Sequence, residues 1–341
     1  MTIRIVGPRS KLGEGAQATR KGAIAKSATP NGWRGTKVFR LKFLPTRRRN
    51  RQRTAQSPRA GAVARLRARP ASQEDCPMPT PQPHKIQRYG WIPDLPDARD
   101  HLYAAPAPVL LKLPSRVDLR SKCPPVYDQG DLGSCTGNAI AGAIQFDRMK
   151  QKQPQSELVP SRLFIYYNER VMEHTVNEDS GAQIRDGIKT TAKQGACFET
   201  SAGAWPYNID KFAQRPDKTC YQVAADHQVM RYSRLVPTAT QLKGCLASGY
   251  PFVFGFAVYE SFESEAVAKT GVVPMPNLAS EKALGGHAVM AVGYDDAEQR
   301  FIVRNSWGPG WGTKGYFTMP YAYMTDTNLS DDFWTVRLIE A

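Results

Sequence analysis

The stretch Tyr127-Asp128-Gln129-Gly130-Asp131-Leu132-Gly133-Ser134-Cys135-Thr136 places a cysteine at the end of a glycine-punctuated loop, directly before an apolar run. Ala139, Ile140, Ala143, Ile144 and Phe146 recur at near-helical spacing, and no proline interrupts before Pro154. Cys135 is therefore expected to open a helix. The free N–H groups of a first turn carry partial positive charge, which favours thiolate over thiol. A single cysteine in such a turn reads equally well as a small buried residue. Two downstream stretches alter that balance, Gly285-Gly286-His287-Ala288 and Arg304-Asn305-Ser306-Trp307.

A thiol nucleophile needs a base, a group that fixes the base's tautomer, and donors aimed at the developing oxyanion. Of the five histidines only His287 opens an apolar strand-like run, and Gly285 and Gly286 before it clear space for an approaching substrate. Asn305 can accept from one imidazole nitrogen and leave the other facing the sulfur. Trp307, two residues on, falls on the same strand face and can shield that bond from water. Gln129, six residues before Cys135, can supply a side-chain N–H beside the Cys135 backbone N–H as an oxyanion hole. A thiolate beside an imidazolium is the expected resting form of the pair.

The net charge of +15 is confined to one end. Residues 1–77 carry 19 Lys/Arg against 3 Asp/Glu, whereas the remaining 264 residues carry 27 against 28. This arm, with Arg47-Arg48-Arg49, has three aromatics and no sustained apolar period. It reads as a disordered basic segment or as an upstream extension of the reading frame with translation starting at Met78, and any nucleic-acid or anionic-surface partner is confined to it. A Pro-rich linker over 70–83 leads into residues 84–112, whose Tyr89-Gly90-Trp91 and Val109-Leu110-Leu111 are enough to dock on a surface but too few to fold alone. Residues 78–112 are accordingly expected to be linker and pro-segment, and 113–341 one globular domain.

No apolar stretch of membrane-spanning length occurs, and neither Met1 nor Met78 precedes a secretory h-region, which leaves location open between cytoplasm and an unconventional export route. No C-x-x-C or Cys/His cluster suggests a metal, and no cofactor is required. Pairing among Cys123, Cys197, Cys220 and Cys245 is left open. Gly310-Trp311-Gly312-Thr313-Lys314-Gly315 satisfies a dinucleotide fingerprint but joins two strand-like runs and opens no helix.

The pattern predicts helices over 161–173 and 182–194 after the Cys135 helix. Strand-like runs follow at 252–258, 288–294, 301–304, 315–319 and 333–336. The expected class is α+β, a helical lobe and a β-rich, barrel-like lobe with a cleft between them.

In this order the motifs resemble those of papain-like cysteine peptidases. Pro114-x-x-Val117-Asp118-x-Arg120 is similar to the start of the mature domain, Gln129 to Cys135 to the active-site loop, and Trp205-Pro206-Tyr207 to the segment beyond the substrate wall. His287-Ala288-Val289 is similar to the histidine strand, and Asn305-Ser306-Trp307-Gly308 through Gly315-Tyr316 to the asparagine hairpin. Leu132 and Thr136 depart from the family's cysteine and aromatic residue, as in a bacterial branch. The resemblance implies a two-lobed monomeric endopeptidase acting on peptides or proteins through Cys135, His287, Asn305 and Gln129. It also implies substrate binding by Ser180 and Gly181, with Gly181 offering backbone hydrogen bonds. Acyl transfer to an amine, as in transglutaminase-like or transpeptidase-like enzymes, and a catalytically silent adaptor tethered by the arm are the competing expectations.

Overall fold

The computed structural model describes residues 89–340. The basic arm, the linker and residues 84–88 lie outside the described residues. Helices run α1 Ala107–Leu110, α2 Cys135–Lys150, α3 Arg162–Glu173, α4 Ile184–Gln194, α5 Lys218–Ala224, α6 Ala239–Ala247, α7 Glu265–Thr270 and α8 Tyr321–Thr325. Strands run β1 Arg116–Asp118, β2 Val229–Arg234, β3 Phe252–Tyr259, β4 Ala283–Asp295, β5 Arg300–Arg304, β6 Tyr316–Pro320 and β7 Ser330–Ile339.

α2 carries small or apolar residues on nearly every face and is buried from Cys135 to Arg148, as a helix must be when other elements surround it. It packs on α3 and α4 on one side and on β4 and β7 on the other, so it joins the helical lobe to the sheet. The Ser161 hydroxyl accepts from Phe164 N at 3.1 Å and starts α3. Gly195 ends α4 at φ +74°, where a Cβ would also overlap the Ala224 carbonyl.

The sheet order is β2-β7-β3-β4-β5-β6, every pairing antiparallel, with β1 added beside β4. β2 and β6 are not paired, so the sheet is open and the expected barrel-like closure is corrected. The two-lobed α+β arrangement stands. β2 escaped the sequence pattern because Met230 and Arg231 are exposed and the strand lacks a buried alternation. In register, Phe256 of β3 faces His287 of β4, and Ala257 faces Gly286. The apolar run from Ala288 to Val292 is buried throughout, between α2 and the rest of the sheet.

Candidate active site

Cys135 is the first residue of α2, with Ser134 as its N-cap. Its sulfur accepts from Ala288 N at 3.3 Å, which brings the nucleophile against the strand residue next to His287. His287 Nε2 lies 2.8 Å from Asn305 Oδ1, while His287 Nδ1 has no hydrogen-bond partner. An Nε2–H donated to Asn305 leaves Nδ1 as the lone-pair nitrogen, the tautomer a base requires. The Trp307 ring stands 5.1 Å from the imidazole at a 32° tilt and is itself buried against Phe262 and Trp311, so the His287–Asn305 bond is kept from water.

The Gln129 loop is sewn to the asparagine turn. Gln129 N donates to Ser306 O at 2.9 Å, Gly308 N donates to Tyr127 O at 2.9 Å, and Ser306 Oγ donates to Gln129 Oε1 at 2.7 Å. Gln129 Nε2 donates one proton to Leu132 O at 2.9 Å. An amide nitrogen has a second proton, and the Cys135 N–H, at a helix start, has no intrahelical acceptor. Both donors are thus free to take a further acceptor.

Ser180 Oγ lies 2.9 Å from Thr175 Oγ1 and 3.0 Å from Gly181 O, either of which can take its one proton, and Gly181 N donates to the Tyr166 hydroxyl at 3.1 Å. The Gly181 N–H is thus engaged inside the wall. The backbone that offers both a donor and an acceptor to the cleft belongs to Ala182, which no side-chain signal could reveal.

Those two groups are already taken by the chain's own N-terminal segment. Ala182 N donates to Gly90 O at 2.7 Å, Ile92 N donates to Ala182 O at 3.1 Å, and Trp91 pairs with Ala182 as a parallel bridge. On the opposite side Trp91 N donates to Gly286 O at 2.8 Å. The Gly90 backbone acts on the ionisation of the Cys135 thiol. A Cβ on Gly90 would overlap the Gly133 carbonyl, and one on Gly181, at φ +77°, would overlap Gly90. The Trp91 indole lies on Gly255 and Gly286, which leave the room it fills. Tyr89 stands edge-on to His287 at 6.0 Å, and its hydroxyl donates to Glu263. The space that Gly285 and Gly286 clear is therefore filled by Tyr89 and Trp91.

The segment is fastened by charge. Trp91 Nε1 and Asp94 N both donate to Asp332 Oδ2, at 3.0 and 2.8 Å. Arg234 bonds Asp331 and Asp332 at 3.1 and 2.9 Å, and Arg185 bonds Asp100 at 2.8 Å. Both guanidiniums lie about 4 Å from Asp94, whose carboxylate oxygens are buried without a hydrogen-bonding N–H. Tyr103 N donates to Arg234 O at 2.7 Å further along.

Covering the site changes its electrostatics. Cys135 and His287 are both 0% exposed. Burial pushes the Cys135 thiol up to about 12, against the opposing backbone groups of Ala288 and Gly90. Burial also pulls His287 down to about 4, against the Asn305 bond. Desolvation thus works against both charged forms while the segment covers the site, opposing the pull of the helix N-terminus.

Residues 113–333 match the family described as papain family cysteine protease. The chain is 49% identical over 218 residues to an uncharacterized peptidase C1-like protein, L477, of Acanthamoeba polyphaga mimivirus, covering 62% of this chain and 68% of that one. It is 29% identical over 211 residues to mouse cathepsin K, covering 60% of this chain and spanning only 59% of cathepsin K. Among solved structures, xylellain, a cysteine protease from Xylella fastidiosa, superposes with a TM-score of 0.68 at 45% identity, over 75% of this chain and 97% of that one.

Proposed function

The chain belongs to the papain family of cysteine proteases, and we propose that it is an endopeptidase held silent by its own residues 89–105. Once the segment leaves, Cys135 passes its proton to His287 and attacks the peptide carbonyl. Gln129 Nε2 and the Cys135 N–H hold the oxyanion. His287 then protonates the leaving amine, and the acyl-enzyme is hydrolysed by a water that His287 deprotonates. Asn305 keeps the imidazole ring and tautomer fixed throughout. Ala182 supplies the backbone pair for an extended substrate, the place Trp91 takes in the covered form.

The observation that carries this reading is the N-terminal strand that occupies both backbone groups of Ala182 and the Gly286 carbonyl, with Cys135 and His287 fully buried. A chain beginning at Leu113 is expected to hydrolyse a fluorogenic peptide faster than the full chain. Equal rates, with both proteins folded by circular dichroism, would count against the covering role.

The fastening cluster makes the covering pH-dependent. Burial, followed by the neighbouring Asp332, raises Asp94 well above the usual carboxylate range, with Arg185 and Arg234 opposing. The covered state thus holds a proton that the open state releases. Covering is fully supported below the ordinary carboxylate pKa of about 4 and loses that support as pH rises through the raised value. His287 acts in the opposite sense at the acid end. Its covered pKa of about 4 lies below the ordinary value, so below about pH 6.5 the open state takes up the extra proton. Asp94→Asn keeps the shape and removes the alkaline limb. The rate of Cys135 alkylation in the unaltered chain, divided by that in the variant, is expected to grow on the order of a hundredfold between about pH 6 and about pH 9. A ratio independent of pH would show that Asp94 holds no such proton.

A further inference from the structure

Two thiols have no part in this chemistry. Cys197 follows α4 and Cys220 sits in the first turns of α5, and both are buried in a small apolar cluster with Leu163, Phe164 and Trp205. The intervening chain folds back on itself, with Trp205 N donating to Phe198 O at 2.8 Å. The Cys220 thiol donates to Ala204 O at 3.5 Å, so its sulfur lies beside the residue pair that neighbours Cys197. The two thiols share this buried cluster, near enough for each to act on the other's ionisation. Cys123 and Cys245 lie outside this cluster and donate to the Leu119 and Tyr250 carbonyls.

We propose that Cys197 and Cys220 are a disulfide-forming pair, closed by exchange with a low-molecular-weight disulfide such as glutathione disulfide. One thiol loses its proton and attacks a glutathione sulfur, breaking that S–S bond and expelling glutathione thiolate, which takes up the proton. The second cysteine, deprotonated in turn, attacks the protein-bound sulfur of the mixed disulfide and expels the second glutathione. Two protein thiols are oxidised and one glutathione disulfide is reduced to two thiols. Because both sulfurs are buried, exchange in the folded chain waits on opening of α5 and its approach.

The consequence reaches the catalytic loop. The closed loop carries Tyr207, whose hydroxyl donates to Gln129 O at 2.9 Å and touches Ser134 Oγ at 2.5 Å. Ser161 Oγ donates to Trp205 O at 2.6 Å in the same loop. A covalent tie across its base pins the support behind Gln129 and Cys135.

The test uses the full chain carrying Cys135→Ser, so that the nucleophile does not exchange. It is refolded from denaturant and equilibrated in a series of glutathione buffers, acid-quenched, alkylated and mapped by peptide mass spectrometry. The expected product is one linked peptide pair, Cys197 with Cys220, and thermolysin cleavage of the loop on the order of ten- to a hundredfold slower than in the reduced chain. Refolding gives every thiol access to oxidant. Alkylation of both residues across the series, glutathione adducts without a link, or a link between other cysteines would each overturn the proposal. In Cys220→Ser the mixed disulfide cannot resolve, and a stable glutathione adduct on Cys197 is expected; its absence would also count against the pair.

Discussion

Gly90→Ala is expected to let iodoacetamide reach Cys135 on the order of a hundred- to a thousandfold faster than in the unaltered chain. One methyl group suffices, because a Cβ at this position overlaps the backbone carbonyl of Gly133, which cannot rotate away as a side-chain end could. Gly133 N is tied in turn to the Asp179 carboxylate at 3.1 and 3.0 Å, so its loop is held. Relief has to come from the covering strand. Lifting it gives up the Ala182 and Gly286 backbone bonds. Each such bond contributes about 0.5 to 1.5 kcal/mol net, and forced overpacking costs about 1 to 3 kcal/mol. Every 1.4 kcal/mol is about a factor of ten in the open population. Gly310→Ala, with nothing within 4 Å of its Cβ position, is the matched control and should leave the alkylation rate unchanged. Equal protection in Gly90→Ala and the unaltered chain would mean that the strand does not govern access.

What makes Gly90 decisive was only half visible in the sequence. Tyr89-Gly90-Trp91 stands out as an aromatic pair in a segment too poor in apolar residues to fold alone, which is why docking could be expected. That Gly90 fits between Gly133 and Gly181 depends on three glycines distant in the chain, and no local pattern encodes such an approach. Ala182 was hidden for a related reason, since it acts through its backbone. The candidate catalytic residues could be named because each chemical role narrows the residue type and each stands beside its own local marker. Those markers are the glycine loop and helix start at Cys135, the double glycine at His287 and the aromatic two residues after Asn305. The fastening carboxylates were not legible. Asp94, Asp100, Asp331 and Asp332 read as ordinary surface residues until folding buries Asp94 and Asp332 beside Arg185 and Arg234. The open sheet has the same origin: strand runs announce themselves by alternation, but which strand closes on which is set by long-range pairing.

In the uncovered Gly90→Ala chain, adding His287→Ala is expected to lower kcat/KM for a peptide substrate by about 10⁴- to 10⁶-fold, the scale seen when a nucleophile loses its base. Structural damage alone could also reduce turnover, so the discriminating readout is the pH dependence of Cys135 alkylation. With the segment gone, water reaches the site and the desolvation that holds the thiol at about 12 and His287 at about 4 is relieved. The helix N-terminus and an imidazolium then both favour thiolate, so alkylation in Gly90→Ala should be nearly flat from about pH 5 to about pH 8. Removing the imidazole removes the full positive charge and leaves only the partial one. The thiol pKa moves up toward its ordinary value of about 8.5, and alkylation in the double variant should climb about tenfold per pH unit below that value. Asn305→Ala in the same background keeps the imidazole but frees its ring and tautomer, and it should lower turnover while leaving the flat alkylation profile nearly intact. A double variant whose profile stayed flat would assign the cation beside Cys135 to a group other than His287, and the catalytic scheme would have to be rebuilt around that group.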